Sequence, residues 1–236
     1  MWREHLEPLV AAGYRVVAVD LPGFGEAAVE EGEQAPWDDV LSTIDELGID
    51  RAALVGNSFG GAVAMRVAAV APERVWALGL IAAPAPGFEP SSQLQAAWAA
   101  EEEALERGDV EGAVRAVVDA WTLADAPEGV REQVAAMQRR AFELQMAAPA
   151  VTEVPDPLDP GGEEAAHEAL ARIAVSTLVL AGGRDMPDFV ESARLLAAVL
   201  PASELVTIET AGHLVPLDVP GEFRRVLLAF LDRNRP

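Results

Sequence analysis

Cysteine is absent from this chain, and so is lysine. The first absence excludes disulfides, thiolate metal sites and thiol nucleophiles. The second leaves arginine to supply all 17 basic residues, against 39 acids and a net charge of −22. A surface of that sign repels nucleic acid and anionic membrane. Histidine is scarce, with His5, His167 and His213 making up the whole set. That is too few for an ordinary His-rich metal centre, so no metal is expected. Long hydrophobic runs are missing too: apolar stretches rarely exceed eight residues, whereas a membrane span needs roughly 18–20. The opening "MWREHLEPLV" carries acids and lacks the charged-then-apolar order of a signal peptide. These absences predict a cytoplasmic protein with neither nucleic acid nor membrane as a partner.

What is present is ample core material: 236 residues, 51% of them hydrophobic. Strand-like runs alternate with helical ones. "YRVVAVD" (14–20) reads as a strand ending on the Pro-Gly turn "LPGFG". Residues 37–49 place Val40, Leu41, Ile44 and Leu47 at helix spacing. Then come the strand "AALVG", an Ala-rich helix, and strands at 75–83, 177–183 and 204–209, with a closing helix after residue 220. Apolar strands separated by helices predict a mostly parallel sheet covered on both faces. Between Pro84 and Ile173 no strand pattern is evident. Amphipathic helices and the Pro-rich "PAVTEVPDPLDPGG" fill that stretch. The expected organisation is a core of 1–83 and 174–236 interrupted by a helical insertion, 84–173. Acid runs such as Glu101-Glu102-Glu103 are expected on solvated helix faces.

The stretch "AALVGNSFGGAVAM" carries the chemistry. Gly56-Asn57-Ser58-Phe59-Gly60 matches G-x-S-x-G, and it lies where a strand gives way to a helix. A serine held under backbone strain at that junction is lifted out of the sheet, and the glycines make room for the turn. A serine needs a base. His213, in "TAGHLVPLDVP" after the last strand, is the candidate; His5 and His167 sit in helical or acidic surroundings and are expected at the surface. The base needs an acid to fix its tautomer. Asp185, just past the strand 177–183, is favoured over Asp188, which is placed to begin a helix as its N-cap.

The chain resembles the α/β-hydrolase superfamily, in particular small bacterial esterases and lactonases with a helical cap. The segments "VVAVDLPGFG", "LVGNSFGGAVAM", "LVLAGGRDMPDF" and "AGHLVPLDVPGEF" carry the resemblance over nearly the full length. It implies Ser58 as nucleophile, His213 as general base and acid, Asp185 as its orienter, and the Phe59 N–H as an oxyanion donor. It further implies a small-molecule substrate, an ester or lactone cleaved through an acyl-enzyme, without metal or organic cofactor. Residues 84–173 would be the cap, with Trp121, Asn57 and Met186 as substrate contacts and Trp98, Met137, Phe142 and Met146 as further lining. Carbon–carbon bond hydrolysis by the same triad is the alternative. Relatives also carry strands ahead of the segment that opens this chain, the last ending in a His-Gly loop that gives a second oxyanion donor. Nothing in residues 1–13 resembles it. The expectation is therefore an N-terminally truncated sheet whose frame extends upstream of Met1; its rival is an impaired or non-catalytic product.

Overall fold

The computed structural model describes residues 1–159 and 161–236. In chain order the elements are α1 (Arg3–Ala11), β1 (Gly32–Gln34), α2 (Pro36–Glu46), β2 (Ala52–Asn57), α3 (Phe59–Val70), β3 (Val75–Ile81), α4 (Ser92–Glu106), α5 (Val110–Trp121), α6 (Val130–Met146), β4 (Val151–Glu153), α7 (Glu163–Leu170), β5 (Thr177–Gly182), α8 (Pro187–Val199), β6 (Ser203–Ile208), α9 (Val215–Asp218) and α10 (Pro220–Asn234). They form two compact units: residues 1–19, 35–88 and 155–236 in one, and residues 20–34 and 89–154 in the other.

The first unit is built on a four-stranded, wholly parallel sheet in the order β2-β3-β5-β6. Strand side chains alternate between faces, and on the central strands β3 and β5 both faces are buried. Leu78 and Leu80 of β3 and Val179 and Ala181 of β5 face a cluster holding Met65 and Val67 of α3 and Ala193 and Leu196 of α8. Ala77 and Ile81 of β3 and Leu178 and Leu180 of β5 face Phe223, Leu227, Phe230 and Leu231 of α10. This is why the strands read as near-continuous apolar runs. Arg66 of α3 holds the loop before α7 through Asp156, whose Oδ1 accepts the Leu158 N–H at 2.9 Å.

Residues 14–20 correct the sequence reading. The segment joins no sheet, and Val17 and Val19 are exposed. β-branched residues favour a strand only where a neighbour supplies ladder hydrogen bonds. Among the described residues none does so here. β2 pairs with β3 on one side, and its first four residues stay half-buried, as on a sheet edge.

The second unit holds α4, α5 and α6. Arg139 of α6 clamps Glu111 of α5 with two hydrogen bonds of 2.6 and 2.8 Å. The Arg140 guanidinium donates to the Gly25 carbonyl at 3.1 Å, which ties the 20–27 loop to α6. This unit also corrects the expectation of a strand-free insertion. β4 pairs in parallel with β1, Gly32 opposite Val151 through Gln34 opposite Glu153. Three residues are too short a run for periodicity to register, and β4 is exposed throughout. Residues 155–173, α7 included, belong to the sheet unit. Of the acid run 101–103, Glu102 and Glu103 are exposed and Glu101 is half-buried. No helix among the described residues is long and apolar enough to cross a membrane.

His5, expected at the surface, is instead 1% exposed. Its ring packs edge-on against Phe223 at 5.0 Å and against Trp2 at 6.1 Å, and its Nε2 lies 3.1 Å from the Pro216 carbonyl. A carbonyl only accepts, so Nε2 carries the proton. Nδ1 is buried without a partner among the described residues. Burial outweighs the Pro216 bond and pulls the His5 pKa below its ordinary 6.5. The unfolded chain therefore takes up a proton at a pH where folded His5 still resists one. The contribution to stability is complete above about 6.5 and is lost as pH falls from there through the lowered value. His5→Gln keeps a neutral N–H donor, and is expected to flatten the fall in urea midpoint below pH 6.5 relative to wild type; parallel curves would contradict this. His167 is half-buried on α7, with Nε2 sealed off and without a partner among the described residues.

Candidate active site

Ser58 stands between β2 and α3 with φ 52° and ψ −119°. For a residue with a Cβ that region costs roughly 1–3 kcal/mol, so neighbouring structure must enforce it. The enforcement is visible. The Ser58 N–H donates to the Ile81 carbonyl at 2.8 Å, and its own carbonyl accepts the Gly61 and Ala62 N–H groups at 2.9 and 3.0 Å. A Cβ on Gly56 would lie 2.1 Å from the Gly60 carbonyl oxygen, and one on Gly61 would lie 2.7 Å from the Ala83 Cβ. Gly60 itself has open space around it. The sharp turn thus needs Gly56 and Gly61, and the second glycine of the motif is sterically optional. Phe59 opens the 12-residue α3, where the helix N-terminus is electropositive. Next to this turn, Ala82 also adopts positive φ, 45°, with its N–H donating to Leu180 at 2.8 Å.

The loops after β5 and β6 form the second half of the site. His213 Nδ1 lies 2.9 Å from Asp185 Oδ2 and 3.2 Å from Oδ1. Both side chains are almost wholly buried, at 5% and 2% exposure. Asp185 Oδ1 also accepts the Met186 N–H at 2.7 Å, which fixes the carboxylate plane. With a carboxylate opposite, Nδ1 is the protonated nitrogen and Nε2 the basic one. The two loops close on each other tightly. The Arg184 N–H donates to Ala211 at 2.9 Å, and the Gly183 N–H to Ile208 at 2.9 Å. A Cβ on Gly182 would lie 2.1 Å from the Gly212 carbonyl oxygen. Phe189 packs against the imidazole, ring centroids 4.3 Å apart, and Phe88 lies 6.4 Å from Phe189. Because β2, β5 and β6 are parallel, Ser58, Asp185 and His213 all leave the sheet at its C-terminal edge.

Other expected residues are distributed as follows. Asn57, the last residue of β2, is buried, and its side-chain amide has no hydrogen-bond partner among the described residues. Met186 occupies the N-cap position of α8. That corrects the reading of Asp188, which is the second helical residue and buried; Pro187, preorganised for a first helical position, starts the helix ahead of it. Trp121 ends α5, Met137 is half-buried on α6, Phe142 is 1% exposed, and Trp98 and Met146 are exposed at 43% and 59%. Sequence reasoning missed Phe189, Ala82 and Asp218. Only Asp218 left a signal, as the single acid in the apolar run "HLVPLDVP".

Residues 1–226 match the model of the alpha/beta hydrolase family. The chain belongs to that family. This alpha/beta hydrolase is 26% identical to a 2-hydroxy-6-oxononadienedioate/2-hydroxy-6-oxononatrienedioate hydrolase of a Pseudomonas species, over 98% of the chain and 82% of that protein. It is 31% identical to the dihydrolipoyllysine-residue acetyltransferase component of the acetoin cleaving system of Pseudomonas putida, over 96% of the chain. The chain spans 59% of that relative's length. Among solved structures it resembles a thermophilic esterase from Thermogutta terrifontis, with TM-score 0.76 and 26% identity over all of the chain and 85% of that one.

Proposed function

We propose that this alpha/beta hydrolase cleaves carboxylic esters, lactones included, by way of an acyl-enzyme formed on Ser58. The observation that carries the reading is the strained Ser58 at the same sheet edge as a buried His213–Asp185 pair. Ser58 Oγ attacks the carbonyl carbon as His213 Nε2 takes its proton. The oxygen of the tetrahedral intermediate becomes negative beside the α3 N-terminus, where the Phe59 N–H is the donor; one such donor is worth about 10²–10³ in rate. His213 then gives the proton to the departing alkoxide. A water, deprotonated by the same nitrogen, attacks the acyl carbon, and Ser58 leaves with the proton. Asp185, anchored by Met186, holds the imidazole through both steps. The esterase likeness supports the substrate class.

Asn57 has a place in this reading. A buried amide without partners costs roughly 1–3 kcal/mol, and a substrate polar group reaching the turn before Ser58 would relieve it. A second reading is hydrolysis of a carbon–carbon bond in a 2-hydroxy-6-oxodienoate by the same three residues. The likeness to the oxononadienedioate hydrolase, which spans nearly the whole chain, favours it.

A fluorophosphonate probe tests both, because each needs an activated serine. The expected result is one adduct, on Ser58 by mass spectrometry, lost in His213→Ala. Folded wild-type protein that takes no label sinks both readings. Turnover of p-nitrophenyl acetate against a 2-hydroxy-6-oxodienoate then separates them.

A further inference from the structure

Asp218 is one of few carboxylates buried in the sheet unit, 7% exposed, and it lies five residues beyond His213. Its Oδ2 accepts the N–H of Gly212, the residue directly before His213, at 2.8 Å. Its Oδ1 is buried with no hydrogen-bond partner among the described residues. The carboxylate thus closes a ring over residues 212–218, which α9 completes through Leu217 and Asp218 N–H bonds to the Leu214 carbonyl at 2.8 and 3.0 Å. The same chain segment comes close to Gly182, and the Ala211 carbonyl accepts the Arg184 N–H.

We propose that Asp218 is a positioning residue for His213, setting the backbone from which the imidazole reaches Asp185 by holding the Gly212 N–H. The proposal rests on the serine-hydrolase reading for its effect on rate, but its geometric content stands apart from it. Stability alone accounts poorly for an acid at this place. Burial pushes the Asp218 carboxyl above the usual range, against the Gly212 bond and the Arg184 charge that pull it down. A half-satisfied buried carboxylate weakens the fold at neutral pH, whereas a neutral side chain of the same shape would not. Its gain lies elsewhere, in direction. A backbone N–H held by a charged acceptor is fixed more firmly than by a neutral one, and a small rotation at Gly212 would swing the ring away from Asp185.

The test compares Asp218→Asn, which keeps an acceptor for Gly212, with Asp218→Leu, which keeps the shape and removes the acceptor. Three histidines make the imidazole region of a ¹⁵N–¹H spectrum assignable residue by residue, with His167 of α7, outside the 212–218 segment, as internal reference. The expected result is that the downfield His213 Nδ1–H signal persists in Asp218→Asn and broadens or vanishes in Asp218→Leu, while the His167 ring signals are unmoved. With fluorophosphonate, the Leu variant labels Ser58 about 10- to 100-fold more slowly and the Asn variant recovers most of the rate. A purely structural residue would instead lower the melting temperature of the Leu variant and leave the His213 signal in place. An unaltered His213 signal in Asp218→Leu overturns the proposal whether or not wild-type Ser58 takes the probe. Unlabelled wild type with an altered His213 signal counts against the hydrolase reading alone.

Discussion

Ser58→Ala is expected to lower kcat for p-nitrophenyl acetate by about 10⁶-fold and to leave KM within a few-fold. The size of the loss follows from what the residue does. A nucleophile cannot be partly replaced by its neighbours, because the covalent route disappears and only polarisation of the carbonyl by the surrounding donors remains. That remnant is worth about 10³–10⁴ over water. Alanine is the informative substitution because it leaves the backbone problem unchanged: it too carries a Cβ at φ 52°, so the turn is as strained as before and the fold reports nothing. Ser58→Gly removes the hydroxyl and the strain together, and is expected to raise the melting temperature by a few degrees, consistent with release of about 1–2 kcal/mol. Steady-state kinetics and thermal unfolding of the two variants separate the chemical role from the conformational one. A loss below a hundredfold in Ser58→Ala would mean that another group performs the attack.

Asp185→Asn is expected to cost about 10⁴-fold in kcat, by forcing the wrong tautomer on His213. The structure gives this variant a defined outcome. The Met186 N–H points at Oδ1 from 2.7 Å and demands an acceptor. The asparagine must therefore keep its carbonyl there and turn its NH₂ toward Nδ1 of His213. Nδ1 then accepts instead of donating, the ring proton moves to Nε2, and the nitrogen that should act as base has no lone pair to offer. Burial sharpens the effect, since both side chains are nearly inaccessible and no water can mediate. Stopped-flow measurement of acyl-enzyme formation would place the loss in acylation as well as deacylation. Activity within tenfold of wild type would remove Asp185 from the mechanism.

The sequence made the strain at Ser58 legible because steric crowding leaves glycine no substitute at Gly56 and Gly61, and that constraint is written in composition. Asp185 and His213 were legible for a related reason: loops at the C-terminal edge of a parallel sheet are few, the one after β6 held a single histidine, and of the two acids after β5 Asp185 lay nearer the strand end. Tertiary packing hid the rest. Residues 14–20 have the letters of a strand, yet a strand is a relation between two segments, and Val17 and Val19 lack the second. His5 looks like a surface residue in a short polar helix until Phe223, more than two hundred positions away, closes over it. Phe189 is one more apolar helix residue until the imidazole packs against it. The β1–β4 ladder is made of backbone groups alone, and exposed side chains keep no record of it.

That ladder also sets a schedule. Its two strands lie about 120 residues apart, so a ribosome adding roughly 5–20 residues per second leaves the first waiting some 6–24 s for the second. During that interval the helices α4 to α6 emerge and pack on one another before β1 has its partner. A slower passage through residues 89–154 would thus lengthen the time for which Gly32–Gln34 stands without its ladder partner.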